Sequence, residues 1–306
     1  MIGLGSQYLT AAGFGRYRIT AASLGNLDLL GTLGGWLTKE TKQAILAAFG
    51  DDGMAVIKAT NAYLDGIAAS DRDKATALAA LLNEDPMMVC SLGLEPQLTV
   101  LPAMPWRLLV GDGNAWITTK VVPNSKMNVR SLIEFTNSAT SWQFPLNCNM
   151  RNYDGQYSFG LGKRNGYLYL NYNGDNQTNT QWTSGKVYDF RIVTTNTDQY
   201  LYDGETEIKH ITKSGYPQTT AAIGLFYCNS KDGGVTWKTK ANIGFFYAEK
   251  DDVLVSHMIP ILTDTKNGMV DIVTGEYFPN EGTSAFTETY GYMQNGQWVT
   301  WTPSTP

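Results

Sequence analysis

Two kinds of side-chain grouping in this chain of 306 residues could do chemistry: carboxylates close enough to share a proton, and aromatic rings placed to meet a flat ligand. Hydrolysis of a glycosidic bond needs two carboxyl groups flanking it, one acting as acid and the other as base or nucleophile. A strand-borne pair spaced Glu-x-Asp-x-Glu, or nearly so, does not occur. The densest acidic run, Glu249-Lys250-Asp251-Asp252, reads as a solvated turn. His210 and His257 are the only histidines. Ser256 beside His257 makes no triad, because neighbours on a strand point to opposite faces. His257 reads as a strand or edge residue. With no phosphate loop, dinucleotide fingerprint or His-x-x-x-His element either, catalysis is not expected.

The aromatic residues offer more. Binding a sugar needs ring faces that stack on C–H surfaces and planar amides that pair with hydroxyls. Trp142, Asn152, Tyr153, Trp182 and Trp237 fall between expected strands, with Asp154, Asn179 and Gln181 beside them. Loop placement favours exposure, so these are the candidate ligand residues, and core or edge packing is the competing reading for each. Asp175, Asn176, Asn229 and Asp232 are loop residues of the type that holds calcium, but they lack the fixed spacing of a calcium loop. Calcium therefore stays open with no residue assigned, and no other cofactor is expected.

The net charge of −5 is mild and spread along the chain, with no Lys/Arg run to neutralise a row of phosphates. Nucleic acid is not an expected partner. Cys90, Cys148 and Cys228 are odd in number and far apart, which suits buried thiols better than a disulfide framework or a metal site. Nothing approaches the roughly 20 apolar residues of a membrane span, and the opening MIGLGSQYLTAAGFGRYRIT lacks the pattern of a secretion signal.

The elements that would position these residues change character along the chain. Residues 1–36 are interrupted by glycine throughout and read as a docking arm that orders against a partner. Tyr8, Phe14, Arg16, Tyr17 and Arg18 are its assembly candidates, and the competing reading is an irregular cap on the protein's own core. Residues 37–96 carry three short helices and a proline-rich connector. Thr38 caps the first and Gly50 ends it, the second runs from Gly53 to about Leu64, and Ser70 with Asp73 resembles a capping box on the third. From 97 to 290 the apolar period falls to 2. Short strands there are punctuated by Asn165-Gly166, Asn173-Gly174, Asp203-Gly204 and Asn267-Gly268, all hairpin signals. Residues 291–306, with Trp298 and Trp301, form a C-terminal extension expected to be an apolar extended edge.

The stretch DVLVSHMIPILTDTKNGMVDIVTGEYFPNEGTSAF from Asp252 to Phe286 resembles the closing strands of the concanavalin A-like (laminin G-like) jelly-roll domains of gut bacterial surface and bacteriophage structural proteins. The stretch from Val110 to Ser125 resembles the opening of such domains, and Gly224–Asn229 and Ala241–Tyr247 resemble their late strands. The resemblance implies a mainly β fold, an antiparallel jelly-roll sandwich joined to the small helical unit and arm. It further implies a bacteriophage virion protein of head-fibre, tail-fibre or decoration type, a homo-oligomer that docks to other virion proteins and displays its sandwich to host or gut glycans. A lectin-like domain with no secretion signal fits release in a virion. A bacterial surface adhesin or carbohydrate-binding module is the alternative, and a glycoside hydrolase the weaker one for want of a carboxylate pair.

Overall fold

The computed structural model describes residues 35–92, 104–137, 141–148, 158–172, 175–212, 220–229, 234–294 and 297–303, with main chain alone at 175 and 229. The expected docking arm with Tyr8, Phe14, Arg16, Tyr17 and Arg18 lies outside these residues, as do Asn152, Tyr153, Asp154 and Asp232. Two units divide the chain, one helical and one β.

The helical unit holds α1 (Lys39–Phe49), α2 (Gly53–Ala68) and α3 (Arg72–Glu84). Thr38 caps α1 by accepting from the Thr41 N–H, and Gly50 ends the helix at a φ of 58° that glycine adopts without strain. Helix α2 continues through Gly66 to Ala68, because an exposed glycine lowers helix propensity without breaking the hydrogen-bond ladder. The N-cap of α3 is Asp71, whose carboxylate accepts from Lys74 N at 3.0 Å. Ser70, the residue expected in that role, instead donates to the carbonyl of Ile67. Ile45, Val56, Ile57, Leu64, Leu78 and Leu82 are among the buried apolar residues of the unit. Asn83 accepts from Thr38 N and Thr41 Oγ1, so the start of α1 is tied to the end of α3.

A 3-10 turn over Pro86–Ser91 follows, and from Met87 to Leu92 the chain groups with the β unit, as do the described residues from 104 to 302. The first half of that unit contains β1 (Trp106–Asp112), β2 (Ile117–Thr118), β3 (Met127–Phe135), β4 (Gln143–Cys148), β5 (Phe159–Arg164), β6 (Tyr167–Tyr172), β7 (Asp175–Gln181), β8 (Val187–Thr194), β9 (Asp198–Asp203) and β10 (Thr206–Thr212). The second half contains β11 (Gly224–Leu225), β12 (Cys228–Asn229), β13 (Val235–Thr236), β14 (Lys240–Ile243), β15 (Phe246–Lys250), β16 (Val253–Leu262), β17 (Asn267–Asp271), β18 (Tyr277–Pro279), β19 (Thr287–Gln294) and β20 (Gln297–Trp301).

They form two sheets, antiparallel apart from the β4–β12 pair. In the larger sheet β3 is the hub, with β8, β9 and β10 on one flank and β14 and β15 end to end on the other. From there β14 leads to β1, β19 and β20, and β15 to β16, β17 and β18. The smaller sheet runs β13-β12-β4-β5-β6-β7, with β11 bridging β2 and β4. The core lies between the sheets, where Val129, Ile133 and Phe135 meet Leu161, Leu168 and Leu170 on facing strands. This is the expected mainly β antiparallel sandwich with a small helical unit. All three cysteines are free and buried.

Several local expectations change. Asn165-Gly166 does make the β5–β6 turn, with φ of 49° and 84°. Asn267-Gly268 does not turn: both residues lie in β17, and the reversal sits at Thr263–Lys266, where Thr263 N donates to Lys266 O at 2.7 Å. Gly268 is needed there for room, since a β-carbon would come 2.2 Å from the Phe278 carbonyl oxygen. Past the end of β1, the stretch up to Ser125 that resembles a domain opening holds only the short strand β2. The extension expected from 291 begins inside β19, so its first residues belong to a central strand pair with β1. His257 is a strand residue, one of the two readings expected, and lies within β16 between β15 and β17.

Candidate functional site

Phe144 organises the most distinctive surface of the smaller sheet. Strict alternation along β4 would turn it inward with Leu146 and Cys148. The register between β4 and β5 shifts between Gln143 and Leu146, and this irregularity turns Phe144 outward. There it lies over Gly162, where a β-carbon would come 2.7 Å from the ring. Gly162 pairs with Tyr169, whose neighbours Leu168 and Leu170 point into the core, so Phe144 and Tyr169 share the outer face.

Two of the expected ligand residues converge on Phe144. Trp142 stacks on it at 5.2 Å between ring centroids, and Trp237 meets it edge-on at 5.6 Å. Tyr169 packs edge-on against Trp142 at 4.7 Å and donates its hydroxyl to Gln177 Oε1 at 2.9 Å. The Arg164 guanidinium sits 5.1 Å from the Trp142 ring. Trp142 is therefore engaged by its neighbours, whereas Trp237 is 43% exposed. The loop carrying Trp237 is pinned by Thr239, whose hydroxyl accepts from Phe144 N at 2.7 Å and donates to Trp237 O at 3.3 Å. Trp237 holds a φ of 44°, a left-handed conformation that costs a bulky residue about 1–2 kcal/mol. An exposed ring kept in a strained backbone is the pattern of a surface shaped for contact.

Beside this patch lies a buried amide pair. Asn147 Nδ2 donates to Asn171 Oδ1 at 3.1 Å, and the register Asn147, Gly160, Asn171 places them across three strands. Both are fully buried, and Asn147 Oδ1 also faces the Cys228 thiol at 3.5 Å.

Trp182 lies elsewhere. It packs against the core margin 6.2 Å from Phe135, and its ring covers the Lys163 ammonium at 3.3 Å. Lys163 donates to the Asn137 carbonyl, and burial pushes its pKa down to about 8. The unfolded chain holds that proton up to about pH 10.5, so it binds more protons than the folded chain between the two values. Stability contributed by the neutral amine is complete above the upper value and lost as pH falls through about 8. Relative to Lys163→Met, the wild type is expected to gain stability as pH rises across this window, read by urea unfolding at several pH values. A difference that stays flat with pH would show the amine to be solvated.

Asn176, both residues of the His210–Asp198 pair, and the acidic turn have structural partners. Asn176 donates to the carbonyls of Leu170 and Tyr172, closing the β6–β7 turn. His210 stacks on Tyr200 at 4.4 Å and shares a hydrogen bond of 2.9 Å with Asp198. The Asp198 carboxyl is held below its ordinary value first by the Thr197 hydroxyl and then by His210 and Thr212. Asp251 and Asp252 form the exposed β15–β16 turn, tethered by Asn124 and Lys126. Among the described residues, no three His, Cys, Asp or Glu side chains gather where they could hold a metal.

No family model matches the chain, and no curated protein matches it significantly. Solved structures do. A candidate carbohydrate-binding protein from Bacteroides ovatus is similar over 60% of this chain and 59% of its own, at 8% identity and a TM-score of 0.46. The carbohydrate-binding module CBM40 of a Ruminococcus gnavus sialidase, bound to α2,3-sialyllactose, matches over 50% of this chain and 93% of its own, at 11% identity and a TM-score of 0.37. The enzymatically active domain of bacteriophage CBA120 tailspike protein 2 matches over 52% and 32%, at 10% identity and a TM-score of 0.36. The chain thus spans less than two thirds of the Bacteroides ovatus protein.

Proposed function

We propose that the sandwich is a non-catalytic glycan-binding domain of a bacteriophage virion protein of head-fibre, tail-fibre or decoration type. One observation carries the binding reading: Trp237 is exposed, left-handed in its backbone, and braced from behind by Phe144 and Thr239. Such a ring offers an apolar surface to the C–H faces of a sugar, and elsewhere in the same aromatic cluster Gln177 beside Tyr169 and Arg164 beside Trp142 carry polar groups for hydroxyls. The virion setting is supported by the likeness of the closing and opening strands to those of phage structural proteins. Localisation to the particle follows from that setting.

A glycan array run beside a reducing-sugar assay tests the reading, with binding and no released sugar as the expected result. Trp237→Gly is expected to weaken the best array ligand at least tenfold. The same change relieves the left-handed strain while losing one ring contact worth about 0.5–1.5 kcal/mol, so stability should stay within about 1 kcal/mol of wild type. Trp237→Ala keeps the strain and should be the less stable of the two. Unchanged binding in both variants would sink the assignment of this patch, and released oligosaccharide would overturn the non-catalytic reading. Mass spectrometry of purified particles tests the virion setting.

A further inference from the structure

A cleft of about 280 Å³ opens at the margin of the larger sheet, away from the aromatic patch. Val121, Val122, Val255 and Phe278 give it apolar walls. Its polar groups are two ammoniums, Lys120 and Lys250, two carboxylates, Asp271 and Glu276, and the hydroxyls of Ser256 and Thr274. Ser256 on β16 and Asp271 on β17 stand on adjacent strands, diagonal neighbours on one face, and are 3% and 2% exposed.

Asp271 is the informative member. Its Oδ1 accepts from two backbone N–H groups, His257 at 3.1 Å and Val273 at 2.9 Å. Among the described residues no donor reaches Oδ2, which belongs to a carboxylate lining the cleft. That oxygen opens onto the cleft, the one face of an otherwise buried carboxylate that a donor from solvent or from a ligand can reach. Toward the mouth, Lys120 is already paired with Glu276 at 2.5 Å. Lys250 spends one N–H on the Val122 carbonyl at 3.3 Å and keeps the others for an acceptor. The two ammoniums and two carboxylates cancel, so a ligand of zero net charge leaves the cleft balanced.

We propose that this cleft binds a small zwitterion, with a primary ammonium donating to Asp271 and an acidic group accepting from Lys250. The site is independent of the glycan patch and stands or falls without it. The ammonium seats on Asp271, the deeper of the two charged partners, whereas the acid remains near solvent with the lysines.

The test uses the full chain with labelled valine methyl groups, because Val121, Val122 and Val255 line the cleft and report its occupancy. The probes are 4-aminobutyrate and 6-aminohexanoate, with butylamine, butyrate and 4-hydroxybutyrate as controls. At least one amino acid probe is expected to shift those methyl signals saturably and at least tenfold more tightly than any control. Asp271→Asn keeps an oxygen for both backbone donors and so preserves the fold, yet should weaken that probe at least tenfold. Lys250→Met, a change on the rim, should do likewise. The proposal is overturned if neither amino acid shifts the signals, if 4-hydroxybutyrate or butylamine matches the best amino acid, or if either variant binds as wild type does.

Discussion

Phe144→Ala is expected to destabilise the sandwich by about 3–5 kcal/mol, the range for removing a buried phenylalanine, and to remove glycan binding with it. The side chain is fully buried although it lies on the outer face of its sheet, because Trp142, Trp237 and the bare surface of Gly162 enclose it. Deleting it leaves a cavity under both tryptophans and removes the brace that holds Trp237 at its angle. Equilibrium unfolding in urea measures the first effect through the midpoint at constant slope. Phe144→Leu separates the two effects. It fills part of the space and should keep the fold, while the loss of edge contact to Trp237 should still weaken binding severalfold. A stable Phe144→Ala variant that binds as wild type would show the patch to be a surface without a function.

The second large effect is on stability alone. Gly160 on β5 has a φ of 142°, and a β-carbon there would come 2.3 Å from the Leu146 carbonyl oxygen and 2.7 Å from the Asn147 α-carbon. Both are backbone atoms of the paired strand β4 and cannot swing aside as a side chain would. Gly160→Ala combines a forbidden dihedral with overpacking, and the expected cost is about 3 kcal/mol or more. The sheet would have to part at the row that carries Asn147 and Asn171. A thermal melt of Gly160→Ala should show a marked loss of Tm or no cooperative transition. A neutral result would mean that β4 and β5 pair in another register.

Much of the fold could be read from residue types. Thr38, Gly50 and the Asn165-Gly166 turn each require one local conformation, and they adopt it. The period of 2 expected from 97 to 290 holds in β3, where Val129, Ile133 and Phe135 face the core. Asn267-Gly268 misled because asparagine followed by glycine can also mean a close approach between strands, and only the Phe278 carbonyl opposite Gly268 decides which. The candidate site was half legible. Trp142 and Trp237 stood out as loop aromatics, but Phe144, which joins them, sits in an apolar run whose period points it inward. The irregularity that reverses it falls around Pro145, which cannot donate to the ladder and is the one mark of a bulge that the six residues of β4 carry. The left-handed backbone of Trp237 is likewise imposed by Thr239 and Phe144, not by its own sequence. Trp182 went the other way, since nothing in its neighbourhood along the chain announced the buried Lys163 beneath it.

Strand β1 lies between β14 and β19, with Leu109 opposite Ile243 on one side and Trp106 opposite Gly291 on the other. Neither neighbour exists while the ribosome is still making the middle of the chain. At about 5–20 residues per second, β1 waits many seconds with both edges and its apolar side chains unpaired. Closure of the larger sheet therefore waits for β14 and β19, and the folding rate should be limited by this long-range pairing. A ribosome that stalls after β18 would leave a chain holding a nearly complete core and an open slot shaped for β19, which a β19 strand from another copy can fill. Domain-swapped dimers are thus the characteristic misassembly of this sandwich.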